Sequence, residues 1–274
     1  MISENNYSVI YSKKLASDVN ALVEGVSSEQ LFILTDEHTK IHCLPILQSE
    51  GAMKNAKVYT MPCGDHYKTI ETVVEIWKFL GENGGTRKSM LINLGGGVVT
   101  DLGGFVANTF KRGIRFINIP TTLLSMVDAA VGGKTGINFN GLKNEIGVIN
   151  PAETVVIYPD FLRSLDTENL LSGYAEMLKH GLLSSEEEMK KLNKFDARKP
   201  DFDLLAELIE TSIEVKANIV KQDPTEKGIR KALNLGHTIG HAFESYSHET
   251  NKPILHGYAV AWGLIGELFL SYKL

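Results

Sequence analysis

Up to about residue 158 the chain repeats one rhythm, a short apolar run followed by a segment whose apolar positions recur every three or four residues. Short uninterrupted apolar runs suit strands buried on both faces, and the three-to-four spacing suits helices that cover them. Strands are expected at 7–11, 31–34, 56–61, 90–94, 115–119 and 155–158, with helices at 13–24, at a segment broken near Pro45, at 69–80 and from Val98. Such alternation predicts a parallel sheet with helices on both faces. Beyond Pro159 the period turns helical and the glycine clusters thin out. Helices are expected at 174–183, 186–195, 202–221, 230–246 and 256–272. The apolar tract at 258–270, interrupted by Glu267, reads as a buried helix rather than a membrane span. The predicted architecture is an α/β domain over 1–155 followed by an all-α domain over 156–274, divided near 150–159.

In a parallel sheet, ligands sit at the carboxyl ends of strands, so the loops there carry the candidate chemistry. The strand at 90–94 runs into Gly95-Gly96-Gly97, where backbone N–H groups at a helix start suit a pyrophosphate and make the domain Rossmann-like. Thr100 replaces the third glycine of a GxGxxG pattern, so a plain tight turn fits as well. Thr121 and Thr122 end another strand, placed to donate to a ligand or to cap a helix. Gly132-Gly133-Lys134-Thr135 resembles a triphosphate loop, but GxxxxGK[ST] would need glycine where Asp128 stands. With Lys143 and Asn144 it reads as an irregular, anion-reaching connection.

The helical half contributes the imidazoles. His237 and His241 stand four apart on one helix face, and Gly236 and Gly240 are expected to leave that face open to close approach. Alone, such a pair is more often an ordinary surface or core feature than a site. Glu176 and Lys179 share a face at three-residue spacing, as a surface ion pair or, given the small residues before them, an inward one. Lys216 lies on the apolar stripe of Phe202, Leu205, Ile209, Ile213 and Val220, where it snorkels or meets an anion. Together, His237, His241, His256 and a carboxylate suit zinc or a similar ion. Arg112, Lys134, Lys143, Lys179, Lys216 and Arg230 around them suit a small polyanion.

Composition narrows the classes. The 274 residues are 43% hydrophobic and 22% charged, with 28 basic against 33 acidic side chains, so nothing global favours nucleic acid or an anionic membrane. Cys43 and Cys63 form no CxxC pair, which suits a reducing, cytoplasmic setting. The start, Met1-Ile2-Ser3-Glu4-Asn5-Asn6, carries no readable secretion signal.

Taken in order and spacing, residues 95–104, Asp128 with Gly132-Gly133-Lys134-Thr135-Gly136, Lys143-Asn144, residues 173–179, residues 234–241 and His256-Gly257 resemble the 3-dehydroquinate synthase family of sugar-phosphate cyclases. The resemblance implies a dehydroquinate synthase-like fold, with conversion of 3-deoxy-arabino-heptulosonate 7-phosphate to 3-dehydroquinate and phosphate. The family route runs through transient oxidation by NAD, phosphate elimination, re-reduction and internal aldol closure. By the same resemblance Glu176, His237 and His256 hold Zn2+ or Co2+. Lys134, Asn144, Asn234 and His241 hold the phosphate, with Arg112 reaching the partner site of a homodimer. Lys216 and Arg230 grip the carboxylate, and Lys179 and Asp128 lie near the reacting hydroxyls. NAD is expected against Asp36, Asp65, Lys68, Gly96, Gly97, Val98, Asp101, Thr121, Thr122, Leu124, Lys143, Phe161 and Leu165, in a cleft between domains.

The chain departs from the family pattern at Tyr258, where glutamate is usual beside the histidine ligand, and at Asn169, where an acid often stands. It also ends at Leu274 within an apolar helix, which suggests a truncated polypeptide that binds NAD better than it turns over substrate. Other expectations for the same residues are a 2-deoxy-scyllo-inosose synthase type of cyclase, a metal-dependent alcohol dehydrogenase, or an impaired binding module.

Overall fold

The computed structural model describes residues 2–4, 7–250 and 252–274. Met1, Asn5 and Asn6 of the segment read for a signal lie outside them. The chain divides into two compact units, one holding residues up to Thr121 together with Gly133–Phe161, the other Thr122–Gly132 with Leu162–Leu274.

The first unit is built on a seven-stranded sheet. Its strands are β1 (Ile2–Glu4), β2 (Tyr7–Tyr11), β3 (Leu31–Asp36), β4 (Lys57–Met61), β5 (Met90–Gly95), β6 (Arg115–Pro120) and β9 (Thr154–Ile157), in the order β1-β2-β9-β6-β5-β3-β4. β1 pairs antiparallel at one edge, and the remaining pairs are parallel. The sheet is covered by α1 (Leu15–Leu22), α2 (Glu37–His42), α3 (Leu44–Leu47), α4 (Ile70–Glu82) and α5 (Gly97–Thr109). The central strands are apolar at nearly every position because both faces are covered, and Leu31, Phe32, Ile33, Leu34, Met90 and Ile92 are fully buried. β4 continues outward from β3 while β5 returns to its other side, so the direction in which strands are added reverses between β3 and β5. That is where such sheets open a ligand crevice.

The stretch expected to be irregular is a hairpin, β7 (Lys134–Phe139) with β8 (Leu142–Ile149), antiparallel and bulged between Ile137 and Phe139. Gly136 and Gly147 face each other so closely that a Cβ on either would meet the opposite backbone. A turn through Asn140 and Gly141, both at positive φ, closes it. Glycine and polar residues hid the strand alternation.

The second unit is helical: α6 (Thr167–Ser184), α7 (Glu186–Leu192), α8 (Phe202–Gln222), α9 (His237–Glu249) and α10 (His256–Lys273), with a π-turn at Ser125–Ala129. α6 starts earlier than its apolar period suggested because Asp166 caps it, accepting from Asn169 N at 2.8 Å. The helix expected over 230–246 is broken. A 3-10 turn at Ile229–Asn234 precedes α9, and Gly236, at φ 81°, makes the corner between them. α10 is buried along one side only, through Gly257, Ala259, Val260, Gly263 and Leu264, while Ile265 and Phe269 on the tract expected to be buried are exposed. Among the described residues no helix is long and apolar enough to cross a membrane.

Candidate active site

In the first unit, residues expected to meet a nucleotide gather at the carboxyl ends of β3, β5 and β6. Gly95 ends β5 and Gly96 caps α5 with no side chain, leaving first-turn N–H groups of that helix for an anion. A Cβ on Gly95 would lie 2.5 Å from the Val99 side chain. Thr121, at the end of β6, bonds its N–H to Gly95 O (3.0 Å), and its hydroxyl is buried without a hydrogen-bond partner. An orphaned hydroxyl beside a glycine-lined helix start fits a polar ligand such as a dinucleotide. Asp36 ends β3 and also caps α2, accepting from Thr39 N at 2.8 Å.

Lys68, nearly fully buried, donates to Asp101 (2.9 Å) and to Asn144 Oδ1 (2.5 Å). Lys143 lies 3.5 Å from Asp65, which also accepts from Asn138 Nδ2. Five residues expected at two ligands thus form one polar cluster with the hairpin. Asn144 takes positive φ there, with its N–H on Asn138 Oδ1. Phe161 is buried edge-on to Tyr158, whereas Thr122, Leu124 and Leu165 belong to the second unit.

The second unit brings Glu176, His237 and His256 together from three helices. Glu176, on α6, is fully buried, and its Oε1 lies 3.6 Å from His237 Nε2 on α9 and 3.6 Å from His256 Nε2 on α10. Ligands on tetrahedral zinc, with bonds of about 2.0–2.1 Å, stand about 3.3 Å apart. The three atoms therefore fit one divalent ion, and Glu176 Oε1, buried with no hydrogen-bond donor, is the orphan such an ion would satisfy. Tight packing creates the convergence. The Gly257 N–H donates to Ser172 Oγ (3.0 Å), setting the start of α10 on α6. Gly236, Gly240 and Gly263 let α9 and α10 touch backbone to backbone. The glycine face of α9 is thus closed by α10, not open to a ligand as its composition suggested.

Beside this trio lies a buried ionic cluster. Lys179 is inward-turned and ion-paired with Glu176, so the surface reading of that pair fails. Lys216 does not snorkel: it donates to the Asp128 carbonyl (2.6 Å) and carboxylate (2.5 Å). Burial alone would raise the Asp128 pKa, but Lys216 and Lys179 hold it well below the usual range. Burial likewise opposes charge on Lys179, and Glu176 and Asp128 outweigh it and raise its pKa. Burial, helped by Lys179, pushes His180 down to about 3, leaving a neutral ring whose Nδ1 meets Ser212 Oγ at 2.7 Å.

Arg230 is buried, donating to Pro224 O (2.8 Å) and Gly132 O (3.0 Å). Asn234 donates to Glu226 (2.8 Å), and His241, exposed, stacks edge-on with His237. Lys134 and Arg112 are exposed on the first unit, Arg112 at φ 69°. Asn169 lies in the first turn of α6 and bonds Asp166. Sequence reasoning assigned no role to His180, Ser212, Glu244 or Glu267. Only Glu244, seven residues after His237 on the same helix face, carried a readable signal.

Fold and site together define a class: a doubly covered parallel-sheet unit with a glycine-rich helix start, and a helical unit presenting one carboxylate and two imidazoles to a divalent ion. The families described as 3-dehydroquinate synthase N-terminal and C-terminal match residues 58–172 and 173–274. The chain belongs to the 3-dehydroquinate synthase family. It is 52% identical to the 3-dehydroquinate synthase of Parabacteroides distasonis, over 97% of this chain and 75% of that protein. Among solved structures, 2-epi-5-epi-valiolone synthase from Streptomyces hygroscopicus subsp. jinggangensis, with NAD+ and Zn2+ bound, matches at TM-score 0.83 and 26% identity, over 96% of this chain and 74% of that one. 2-Deoxy-scyllo-inosose synthase with carbaglucose-6-phosphate, NAD+ and Co2+ matches at TM-score 0.82 and 25% identity, over 94% and 71%. An iron-containing alcohol dehydrogenase from Thermococcus thioreducens, at TM-score 0.66 and 17% identity over 92% and 71%, shares the fold.

Proposed function

We propose that this protein is a phosphate-eliminating lyase that converts 3-deoxy-arabino-heptulosonate 7-phosphate to 3-dehydroquinate, with NAD and a divalent ion, Zn2+ or Co2+, as cofactors. The observation that carries the reading is the convergence of His237 and His256 on the orphaned oxygen of buried Glu176. These three residues would hold the ion. Bound there, NAD would supply reversible hydride acceptance and the ion Lewis acidity toward the substrate hydroxyls.

The chain's own groups do the rest. The first turn of α5 with Gly96, Gly97 and Val98, together with Asp36, Asp65, Lys68, Asp101, Thr121 and Lys143, binds the dinucleotide, joined by Thr122, Leu124, Phe161 and Leu165. Lys179, kept protonated by two carboxylates, donates near the reacting hydroxyls, and Asp128, kept ionised, accepts there. Lys216 and Arg230 take the substrate carboxylate, for which it competes with Asp128 and backbone carbonyls. Lys134, Asn144, Asn234 and His241 take the phosphate, with Arg112 supplied by a second copy in a homodimer. Exposed Leu142, Ile146 and Ile149 on β8 support such a dimer, since an uncovered apolar edge strand seeks a partner. The free thiols of Cys43 and Cys63 accord with a cytoplasmic setting.

The test is phosphate release from 3-deoxy-arabino-heptulosonate 7-phosphate with NAD and Zn2+, alongside glucose 6-phosphate. Release from the first, without NADH accumulation and abolished by a chelator, is expected. Turnover of glucose 6-phosphate alone would reassign the protein to another cyclase, and stoichiometric NADH would make it a dehydrogenase.

A further inference from the structure

Each histidine that faces Glu176 through Nε2 has its other ring nitrogen held. His237 Nδ1 lies 3.2 Å from the Leu235 carbonyl oxygen, a neutral acceptor of the main chain. His256 Nδ1 lies 3.5 Å from Oε2 of Glu244, a carboxylate that is 5% exposed. Glu244 follows His237 by seven residues and His241 by three, so α9 carries both one proposed ligand and the acid that meets another ligand from behind. Its placement is tied to the segment leading into His256: Ser247 Oγ donates to Glu244 O (2.6 Å) and accepts from Ile254 N (3.3 Å).

Glu244 could alternatively serve as a ligand itself, since His241, Glu244 and His256 also bring ligand atoms within 4.8 Å of one another. The two nitrogens of one imidazole point away from each other, so a single ion on Nε2 of His256 cannot also be bound by the acid at Nδ1. The set around Glu176 uses both Nε2 atoms and the more deeply buried carboxylate. That leaves Glu244 as acceptor for the Nδ1 proton.

We infer that Glu244 is the positioning residue for His256: by accepting its Nδ1–H it fixes the tautomer whose Nε2 lone pair faces Glu176, and it turns the ring toward the ion. A carboxylate behind an imidazole also makes the ring a stronger donor than a carbonyl does, so the two histidines are unequal ligands. Removing such a partner costs about 10–100-fold in metal affinity. Tyr258, which stands where relatives of the family pattern carry glutamate, is then not the residue that orients His256.

The inference rests on the metal reading of Glu176, His237 and His256, and the experiment separates the two. Zn2+ affinity of the full chain is measured by competition with a chromophoric chelator for wild type, Glu244→Ala and Glu244→Gln, with NAD affinity as the check on folding. Nitrogen-15 shifts of the Zn2+-loaded proteins report which imidazole nitrogen carries the proton. Glu244→Ala is expected to weaken Zn2+ by about 10–100-fold and to lose the slowly exchanging His256 Nδ1–H, with NAD affinity unchanged. Glu244→Gln, whose amide oxygen still accepts, is expected to retain the tautomer and to weaken Zn2+ less. Should the alanine variant fail to fold, the glutamine variant decides, because affinity within twofold of wild type overturns the inference and a weaker, tautomer-retaining site supports it. Wild-type affinity in Glu244→Ala also overturns it. Failure of the wild-type chain to take up Zn2+ at all would instead remove the metal reading beneath it.

Discussion

Gly257 offers the sharpest test of how the helical unit assembles its site. It is the second residue of α10, next to His256, and its backbone lies directly on the main chain of α6. A Cβ there would fall on the Ser172 carbonyl oxygen, with the Ser172 carbonyl carbon 2.5 Å and Cα 2.6 Å away. Optimal carbon contacts need about 3.5–4.0 Å, so Gly257→Ala requires a separation of roughly 1 Å between the start of α10 and α6. No flexible side chain can yield, because the three atoms nearest that Cβ are all Ser172 backbone. Overpacking of this sort costs about 1–3 kcal/mol in stability. The larger effect is geometric: His256 rides on the displaced turn while Glu176 stays on α6, so the 3.6 Å approach of Nε2 to Oε1 opens by a similar amount. A displacement of about 1 Å in a reacting constellation can cost about 100-fold in rate. The assay is zinc content after gel filtration together with phosphate release, against NAD affinity as a control on the sheet unit. Loss of zinc and of at least about 100-fold in rate with NAD binding intact is expected. A variant that holds zinc normally and works within twofold of wild type would falsify the claim that this backbone contact sets the site.

Gly81 behaves oppositely, because nothing lies within 4 Å of its Cβ position and its φ is ordinary for α4; Gly81→Ala should stabilise by about 0.5–1 kcal/mol and raise the melting temperature by about 1–4 °C. Glu267 on α10 accepts from Gly236 N (2.7 Å) and Ile239 N (3.2 Å), capping the start of α9 from outside that helix. Glu267→Ala should therefore lower stability by about 1–2 kcal/mol in urea unfolding and weaken zinc retention through His237. Asp166 caps α6, and its pKa is lowered from 3.8: partial burial pushes it up, but bonds from Asn169 outweigh that. A depressed carboxylate contributes stability above its unfolded pKa and loses it as pH falls through the folded one. Asp166→Ala should cost about 1 kcal/mol at neutral pH, and its difference from wild type should vanish well below pH 3.8; a difference that stayed constant with pH would count against the cap.

The strand and helix rhythm of the first unit was legible because a strand buried on both faces is mostly apolar along its own length, as residues 31–34 and, Asn93 apart, 90–94 are. The glycine loop after β5 and the four-residue spacing of His237 and His241 were legible for the same reason: each is a local pattern answering a local geometric need. The hairpin at 134–149 was not, since its glycines answer to the strand opposite. Nor was the corner at Gly236, whose positive φ exists to turn a 3-10 segment into α9.

Sequence by itself determined which side chains were available and, for the main strands and helices outside the hairpin and the Gly236 corner, which elements carried them. Tertiary structure alone decided that Glu176, His237 and His256 meet, that Lys216 answers Asp128, and that Glu244 backs His256. Those meetings depend on glycine contacts between helices far apart along the chain, such as Gly257 on Ser172 and Gly263 on Gly236. Periodicity reports only what neighbours within a few residues require, whereas a three-helix convergence is set by how closely distant backbones pack, which no local window contains.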